Sequence, residues 1–471
     1  MHKSTRLGIE PIKTLLFEQA IPASIGVLAM SIYMLVDSIF VGKWVGSLGI
    51  GAIAIVMPIV FFISSIGMGI GIGGSSIISR ALGAEEKRLA QHTFGNQITM
   101  TLILSLFVVT VGYFYTNDIV YIFGGKEDLH DPSFTYFNTL LYGIPFLALN
   151  MMANAVIRAE GQAKTAMVVM LIPAILNIIL DILFIKVLNG GLEGAAWATV
   201  VSYIVCFVFI LYYFIFGKGV INIRPKYFPL DLAIVSEISS LGFVTVVRQS
   251  VIALLSIILN FVLFKYGNEI AIIMYGILGR VIMFALFPVM GVTQGFLPIS
   301  GYNYGAKNYE RVKESIKVSI YYATLFSFFI FTLIMFFAPE IVMLFTTKSS
   351  DNLTIIKDTS EALRWGFAAV PIIAFQLIGA AYFQAIGKPR QALLLTLLKQ
   401  GFFLIPLVLI LPNYLGLFGV WISFPIADIL STMVTAWFLR KEMKKLDHQD
   451  EETHLQMTLE KIIKEEQFMN R

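Results

Sequence analysis

The stretch Ser31-Ile-Tyr-Met-Leu-Val-Asp37-Ser-Ile-Phe-Val41 places one carboxylate inside an apolar run long enough to cross a bilayer. Ionising a carboxyl in hydrocarbon costs at least ~2.5–3.5 kcal/mol, so such a residue marks a functional site by default. The rest of the chain has the same apolar character. Hydrophobic residues make up 57% and charged residues 14% of the sequence, against roughly 25% charged in a soluble domain, and the mean hydropathy is +0.80. Apolar windows of about twenty residues recur, each sufficient for ~30 Å of hydrocarbon. The expected fold class is an all-α polytopic membrane protein, with twelve transmembrane helices in two pseudo-symmetric six-helix bundles.

The twelve spans are read at 14–42, 49–81, 92–116, 133–157, 166–188, 193–217, 232–266, 270–304, 310–338, 358–385, 391–411 and 415–439. Several exceed the bilayer thickness and are expected to tilt or bend. One side of this arrangement collects roughly twenty Lys and Arg, among them Lys3, Arg80, Arg158, Lys218, Lys317 and Arg440; the other holds only Lys43, Lys126, Lys186, Lys265, Lys348 and Lys357. The positive-inside rule then puts both termini in the cytoplasm, and a multi-pass inner-membrane location is expected. No cleavable signal peptide is expected, because the chain opens with polar Met1-His-Lys-Ser-Thr-Arg and its first apolar run is too long. The single cysteine, Cys206, excludes an internal disulfide. The net charge of +4 is spread over loops, which gives no footprint for nucleic acid.

The chain divides at Gly217-Lys-Gly-Val-Ile-Asn-Ile-Arg-Pro-Lys-Tyr-Phe-Pro-Leu-Asp231. The expected units are an N-terminal lobe at 1–217, a cytoplasmic linker at 218–231, a C-terminal lobe at 232–439 and a charged cytoplasmic tail at 440–471. The halves repeat one another. Gly83-Ala84 returns as Gly305-Ala306, 222 positions on; Arg158-Ala-Glu-Gly161-Gln as Gln384-Ala-Ile-Gly387-Lys, 226 on; and Gly191-Leu-Glu-Gly194 as Gly416-Leu-Phe-Gly419, 225 on. Six spans per half make the repeats parallel, related by an axis along the membrane normal. The tail mixes both signs of charge and lacks a span, so a solvated or membrane-surface helix is expected there.

Span five reads Ile172-Pro-Ala-Ile-Leu-Asn177-Ile-Ile-Leu-Asp181, and the i, i+4 spacing puts Asn177 and Asp181 on one face. Span six supplies Thr199. Asp37, Asp181 and Thr199 lie five, seven and six residues inside the proposed outer ends at 42, 188 and 193, or roughly 8–10 Å deep at 1.5 Å per residue. Two carboxylates, an amide oxygen and a hydroxyl at one depth suit a hard cation such as Na+. The same carboxylate pair suits a proton. Pro22 interrupts the hydrogen bonding of span one and, with Gly26, gives it a place to bend.

The second half carries Arg248, Gln249, Arg280, Lys399 and Asp428 in or beside its spans. Opposite charges in hydrocarbon are expected to pair, and Asp428 with Lys399 or Arg280 reads as a structural pair. Gln294, Gln376 and Gln384, with abundant Met and Phe, offer cavity-lining groups that suit greasy cations.

The chain resembles the multidrug and toxic compound extrusion (MATE) family of secondary transporters over about residues 10–440. The resemblance rests most on Gly291-Val-Thr-Gln-Gly-Phe-Leu-Pro298-Ile-Ser-Gly-Tyr302-Asn-Tyr-Gly-Ala306. Val36-Asp37-Ser-Ile-Phe-Val-Gly42, Arg158-Ala-Glu-Gly-Gln, Asn177-Ile-Ile-Leu-Asp181 and Phe424-Pro-Ile-Ala-Asp428 support it. It implies two lobes facing across a cleft, export of organic cations against inward Na+ or H+, a cation site at the positions of Asp37, Asn177, Asp181 and Thr199 with Asn154 nearby, and a first helix bent at Pro22. Some subfamilies carry acidic residues in spans seven and ten of the C-terminal lobe. Here span seven offers Arg248-Gln249 and span ten Gln376, which places the coupling site in the first half.

The expected function is therefore multidrug antiport by alternating access, with small amphiphilic, cationic substrates, the bilayer as the other partner, no cofactor beyond the coupling ion and a monomeric chain. The rival reading is a flippase for a lipid-linked sugar, which asks for a basic cleft that Arg248, Arg280 and Lys399 would supply. An embedded enzyme is not expected: the five histidines lie at termini or loop edges, and no nucleophile–base arrangement occurs in the membrane.

Overall fold

The computed structural model describes residues 3–217, 219–345 and 353–469. Lys218 and Lys348, counted above for orientation, lie outside them. Among the described residues the regular structure is entirely helical, as a bilayer requires of a chain that must satisfy every backbone polar group within each span.

The first six spans are α1 (Ile12–Trp44), α2 (Ser47–Gly83), α3 (Lys87–Phe114), α4 (Glu127–Leu141 joined to Ile144–Ala159), α5 (Ala163–Val187) and α6 (Gly191–Phe216). The two arms of α4 meet at 55°. A 54-residue helical stretch, Leu232–Ala285, follows. Left straight it would measure roughly 80 Å, far more than a bilayer holds. It is broken at Asn268, whose φ of 56° and ψ of −159° are not helical. The break separates α7 (232–267) from α8 (269–305), and α8 bends again at Leu286. The last four are α9 (Tyr309–Met343), α10 (Thr354–Ala385), α11 (Pro389–Leu415) and α12 (Leu417–Met469). Among the described residues ten helices pass as spans by length and composition, an eleventh if the bent pair is one span; dividing at Asn268 gives the twelve expected from the sequence.

The duplication is written into the backbone. Residues with positive φ stand at the junctions between helices at Gly46, Glu85, Gly161 and Gly191, and again at Asn268, Lys307, Gly387 and Gly416. The shifts are 222, 222, 226 and 225 residues, those of the sequence repeat. Glycine takes such a φ without a Cβ penalty, which is why the matching pairs at 161/387 and 191/416 are glycines.

Buried apolar residues form three groups. One draws on both halves, from Leu7, Ile12 and Leu16 through Ile77 and Ile78 to Ile238, Phe296 and Tyr382. A second uses only residues between 255 and 427, and a third only residues between 41 and 200. The halves therefore pack together at the end that carries the termini and part at the other end. Small residues make the closed seam. A Cβ on Gly83 would stand 1.9 Å from the Tyr302 carbonyl oxygen, and one on Gly73 2.3 Å from that of Ile238. Arg80 bridges to Glu237 across the seam at 2.6 Å, and Arg311 donates to the Glu10 carbonyl at 2.6 Å.

The connection between the halves is stitched to the first half. Glu160, buried in the turn after α4, accepts from the Ile221 amide at 2.7 Å and from the Tyr213 hydroxyl at 3.0 Å. Asn96 accepts from the Asp231 amide at 2.7 Å, and Thr99 donates to the Phe228 carbonyl at 2.8 Å. Asp231 then caps α7 through its carboxylate. Helix α12 runs on past the membrane without a break. There Glu442 pairs with Lys388, and Asp447 with Lys313 at 2.7 Å.

Candidate functional site

Helix α1 crosses the bilayer without interruption at Pro22. It packs against α5 at Gly26, where a Cβ would stand 2.6 Å from Met170 Sδ. That close approach brings Asp37 of α1 beside Asp181 of α5, near enough for the two carboxyls to act on each other electrostatically. Asp37 is 5% exposed and Asp181 fully buried. The helical hydrogen bonding of α5 widens to a π turn at Ile182–Val187, directly after Asp181; such bulges concentrate at functional sites.

Asn177, one turn before Asp181, donates from Nδ2 to Thr199 Oγ1 at 3.1 Å, and Thr199 in turn donates to the Ala195 carbonyl at 3.2 Å. Thr199 thus spends its proton on α6 and its lone pair on Asn177. This fixes the amide so that its oxygen is left over. Four oxygens, Asp37 Oδ1, both of Asp181 and Asn177 Oδ1, are buried without a donor. Buried polar atoms are nearly always paired, and a cluster of acceptors with no protein donor suits a cation, a proton or an ordered water. The donor set fits Na+, which prefers hard oxygen ligands, and fits H+ equally.

Three tyrosines that the sequence did not single out surround the pair. Tyr33 and Tyr203 are neighbours, and Tyr136 lies close to Asp37 and Asp181. Tyr33 precedes Asp37 by four residues and Tyr203 follows Thr199 by four, so helical spacing from the named residues was the available signal. Asn154 belongs to a different bonded group. Its Nδ2 donates to the Ala166 carbonyl at 2.7 Å and its Oδ1 accepts from Arg158 Nε at 2.9 Å. Arg158, counted in the sequence as a loop cation, is buried in this wall with no carboxylate in ion-pair range among the described residues.

Asp37, Thr199, the three tyrosines, Asn154 and Arg158 line one cavity of about 460 Å³ that also receives Met283, Gln294, Pro298 and Gln384 from the second half, while Asn177 and Asp181 sit behind that lining. Seven methionines line it, among them Met30, Met34 and Met170. Unbranched, polarizable side chains of this kind adapt to ligands of varied shape. In the second half, Lys399 pairs with Asp428 at 2.6 Å, one of the two partnerships expected. Arg280 is exposed and joins no ion pair among the described residues; neither does half-buried Arg248, beside Gln249. Gln376 is buried with its Oε1 unpaired, and Gln384 donates to the Leu241 carbonyl at 3.2 Å.

The MatE family model matches residues 22–183 and 245–410. The chain belongs to the MatE family. Multidrug export protein MepA of Staphylococcus saprophyticus is 28% identical over 433 residues, 90% of this chain and 93% of that protein. A MATE crystal structure in complex with MaL6 superposes with a TM-score of 0.90 at 27% identity, over 95% of this chain and 100% of the other. The outward-facing conformation of a multidrug resistance MATE family transporter superposes at 0.89 with 27% identity, over 94% and 98%. The two family matches begin 223 residues apart, at 22 and 245, within the range of the internal shifts. The chain is a multi-pass membrane transporter of a multidrug efflux family and not an enzyme.

Proposed function

We propose that this MatE protein is a secondary antiporter that exports small, cationic amphiphiles in exchange for inward Na+ or H+, with Asp37, Asn177, Asp181 and Thr199 as the coupling site. The observation that carries this reading is the pair of buried carboxylates on α1 and α5, facing each other with no donor. Two neighbouring ionised carboxylates repel in a low dielectric. A proton or Na+ arriving between them removes the repulsion and draws α1 toward α5. Exit of that cation restores it. Pro22 and Gly26 leave α1 the freedom to respond, because proline removes an intrahelical hydrogen bond.

The transported cation and the coupling ion then compete for the same negative charge, which is what makes exchange obligatory. With both termini cytoplasmic, the closed seam faces the cytoplasm and the parted ends face outside. Lobes 1–217 and 232–439 rock about that seam, linked by 218–231, and the tail 440–471 stays in the cytoplasm. One elementary charge moving inward through 100 mV contributes about 2.3 kcal/mol. Asn154 and Arg158 shape the inner end of the cavity, and Lys399–Asp428 holds the second lobe together. The chain works as a monomer, with no cofactor other than the coupling ion.

The flippase reading has Arg158 in the cavity wall on its side, but Asp37 in the same lining repels a pyrophosphate. Accumulation of a fluorescent organic cation in cells tests the choice. Asp37→Asn and Asp181→Asn, at wild-type expression, are expected to raise accumulation to the level of cells without the transporter. Wild-type efflux from both variants overturns the proposal.

A further inference from the structure

On the lipid-facing side, away from the transport cavity, α9 and α12 leave a groove of about 650 Å³ between them. Its composition changes along its length. Lys317 and Arg440 stand in its wall near the end of the bundle that carries the termini, and Tyr321, Leu325, Phe328 and Phe375 line the rest. No acidic side chain is in the lining.

The acids nearby on α12 are taken: Asp447 pairs with Lys313 at 2.7 Å, Asp450 lies 3.8 Å from the same Lys313, and Glu442 pairs with Lys388. Neither Lys317 nor Arg440 forms an ion pair among the described residues, and both are exposed. From Lys317 to Phe328 is eleven residues of helix, roughly 16 Å, which is the depth of one leaflet's hydrocarbon, about half of 30 Å. Leu325 and Phe328 also wall a second apolar cavity of about 1080 Å³ toward α8, where a neighbouring acyl chain has room to lie.

We propose that this groove is a binding site for an anionic phospholipid of the leaflet nearest the termini, its headgroup phosphate held by Lys317 and Arg440 and one acyl chain lying along Tyr321, Leu325 and Phe328. The charge pattern selects the occupant. A zwitterionic lipid brings its own cation to a place that already has two, whereas an anionic lipid brings only the phosphate they attract. Each Lys or Arg near a membrane surface adds roughly a fivefold preference for anionic lipid. The site requires only that the chain crosses the membrane and is independent of what the protein transports.

Native mass spectrometry of the full-length protein, released from neutral detergent with equal amounts of phosphatidylglycerol and phosphatidylcholine of the same chains, tests it. The wild type is expected to retain phosphatidylglycerol at least tenfold over phosphatidylcholine. The double variant Lys317→Ala/Arg440→Ala brings the ratio near one. Ala436→Trp, which fills the groove while leaving both cations, lowers retention of phosphatidylglycerol. Lys87→Ala/Arg88→Ala, which removes two cations from the same end of the bundle but outside the groove, keeps the wild-type ratio. Equal retention of the two lipids by the wild type overturns the proposal. So does a preference that survives the double variant, or one lost equally with Lys87 and Arg88.

Discussion

At the scale of residues, the proposed coupling site depends on how Thr199 holds Asn177. Thr199→Ala removes the acceptor of Asn177 Nδ2 and lets the amide turn, so that its oxygen no longer stands with Asp37 and Asp181. One neutral hydrogen bond is worth about 0.5–1.5 kcal/mol. We therefore expect roughly a two- to tenfold weaker apparent affinity for the driving cation at an unchanged maximal rate, with Thr199→Ser close to wild type. Efflux measured against driving-ion concentration reads both quantities; a lower maximal rate with unchanged affinity contradicts the role. Asp37, Asp181 and Asn177 were legible in the sequence because charge and amide are costly in an apolar run. Tyr33, Tyr136 and Tyr203 were not, since a tyrosine in a membrane helix is ordinary until a fold sets it beside a carboxylate. Arg158 was misplaced for a related reason: its position near a turn predicts exposure, and only the packing of α4 on α5 shows it buried.

At the scale of elements, two contacts decide how helices hold the site. Gly26→Leu drives a side chain into Met170 and wedges α1 from α5. Overpacking of this kind costs about 1–3 kcal/mol, so the purified protein is expected to melt several degrees lower, with coupled efflux lost in step; an unchanged melting temperature contradicts the packing described. The turn after α4 gives a pH dependence. Burial pushes the Glu160 carboxyl up to about 7 from an ordinary 4.5, against the opposing hydrogen bonds from Ile221, Tyr213 and Val220. An acid that holds its proton more tightly when folded stabilises the fold at low pH, and that stability is lost as pH rises from about 4.5 to about 7. Glu160→Gln, neutral throughout, is expected to flatten the fall in melting temperature over this window. The same slope in wild type and variant contradicts the assignment. The spans and their turns were readable from hydropathy and glycine. The stitching of 219–231 onto Asn96, Thr99 and Glu160 was not, because long-range hydrogen bonds leave no local pattern.

At the scale of the whole molecule, the halves meet at one end only. The seam predicts its own lock. A Cβ on Gly301 would stand 3.2 Å from that of Ser79, near the ~3.8 Å of a disulfide, so Ser79→Cys/Gly301→Cys is expected to cross-link under oxidation. The cross-link stops efflux, and a reductant restores it. Efflux that continues through the cross-link contradicts a seam that must open. The repeat at 222–226 residues was visible as three weak glycine matches, whereas the way the halves close was not, since the seam is made of small residues whose meaning depends on the partner helix. The central claim is that Asp37 and Asp181 couple an inward cation to outward substrate. Its most direct test is transport in proteoliposomes, with a Na+ gradient imposed at fixed pH and then a pH gradient at fixed Na+. The account predicts that at least one gradient drives the wild type and that neither drives Asp37→Asn or Asp181→Asn. Gradient-driven transport at the wild-type rate in both variants would contradict it.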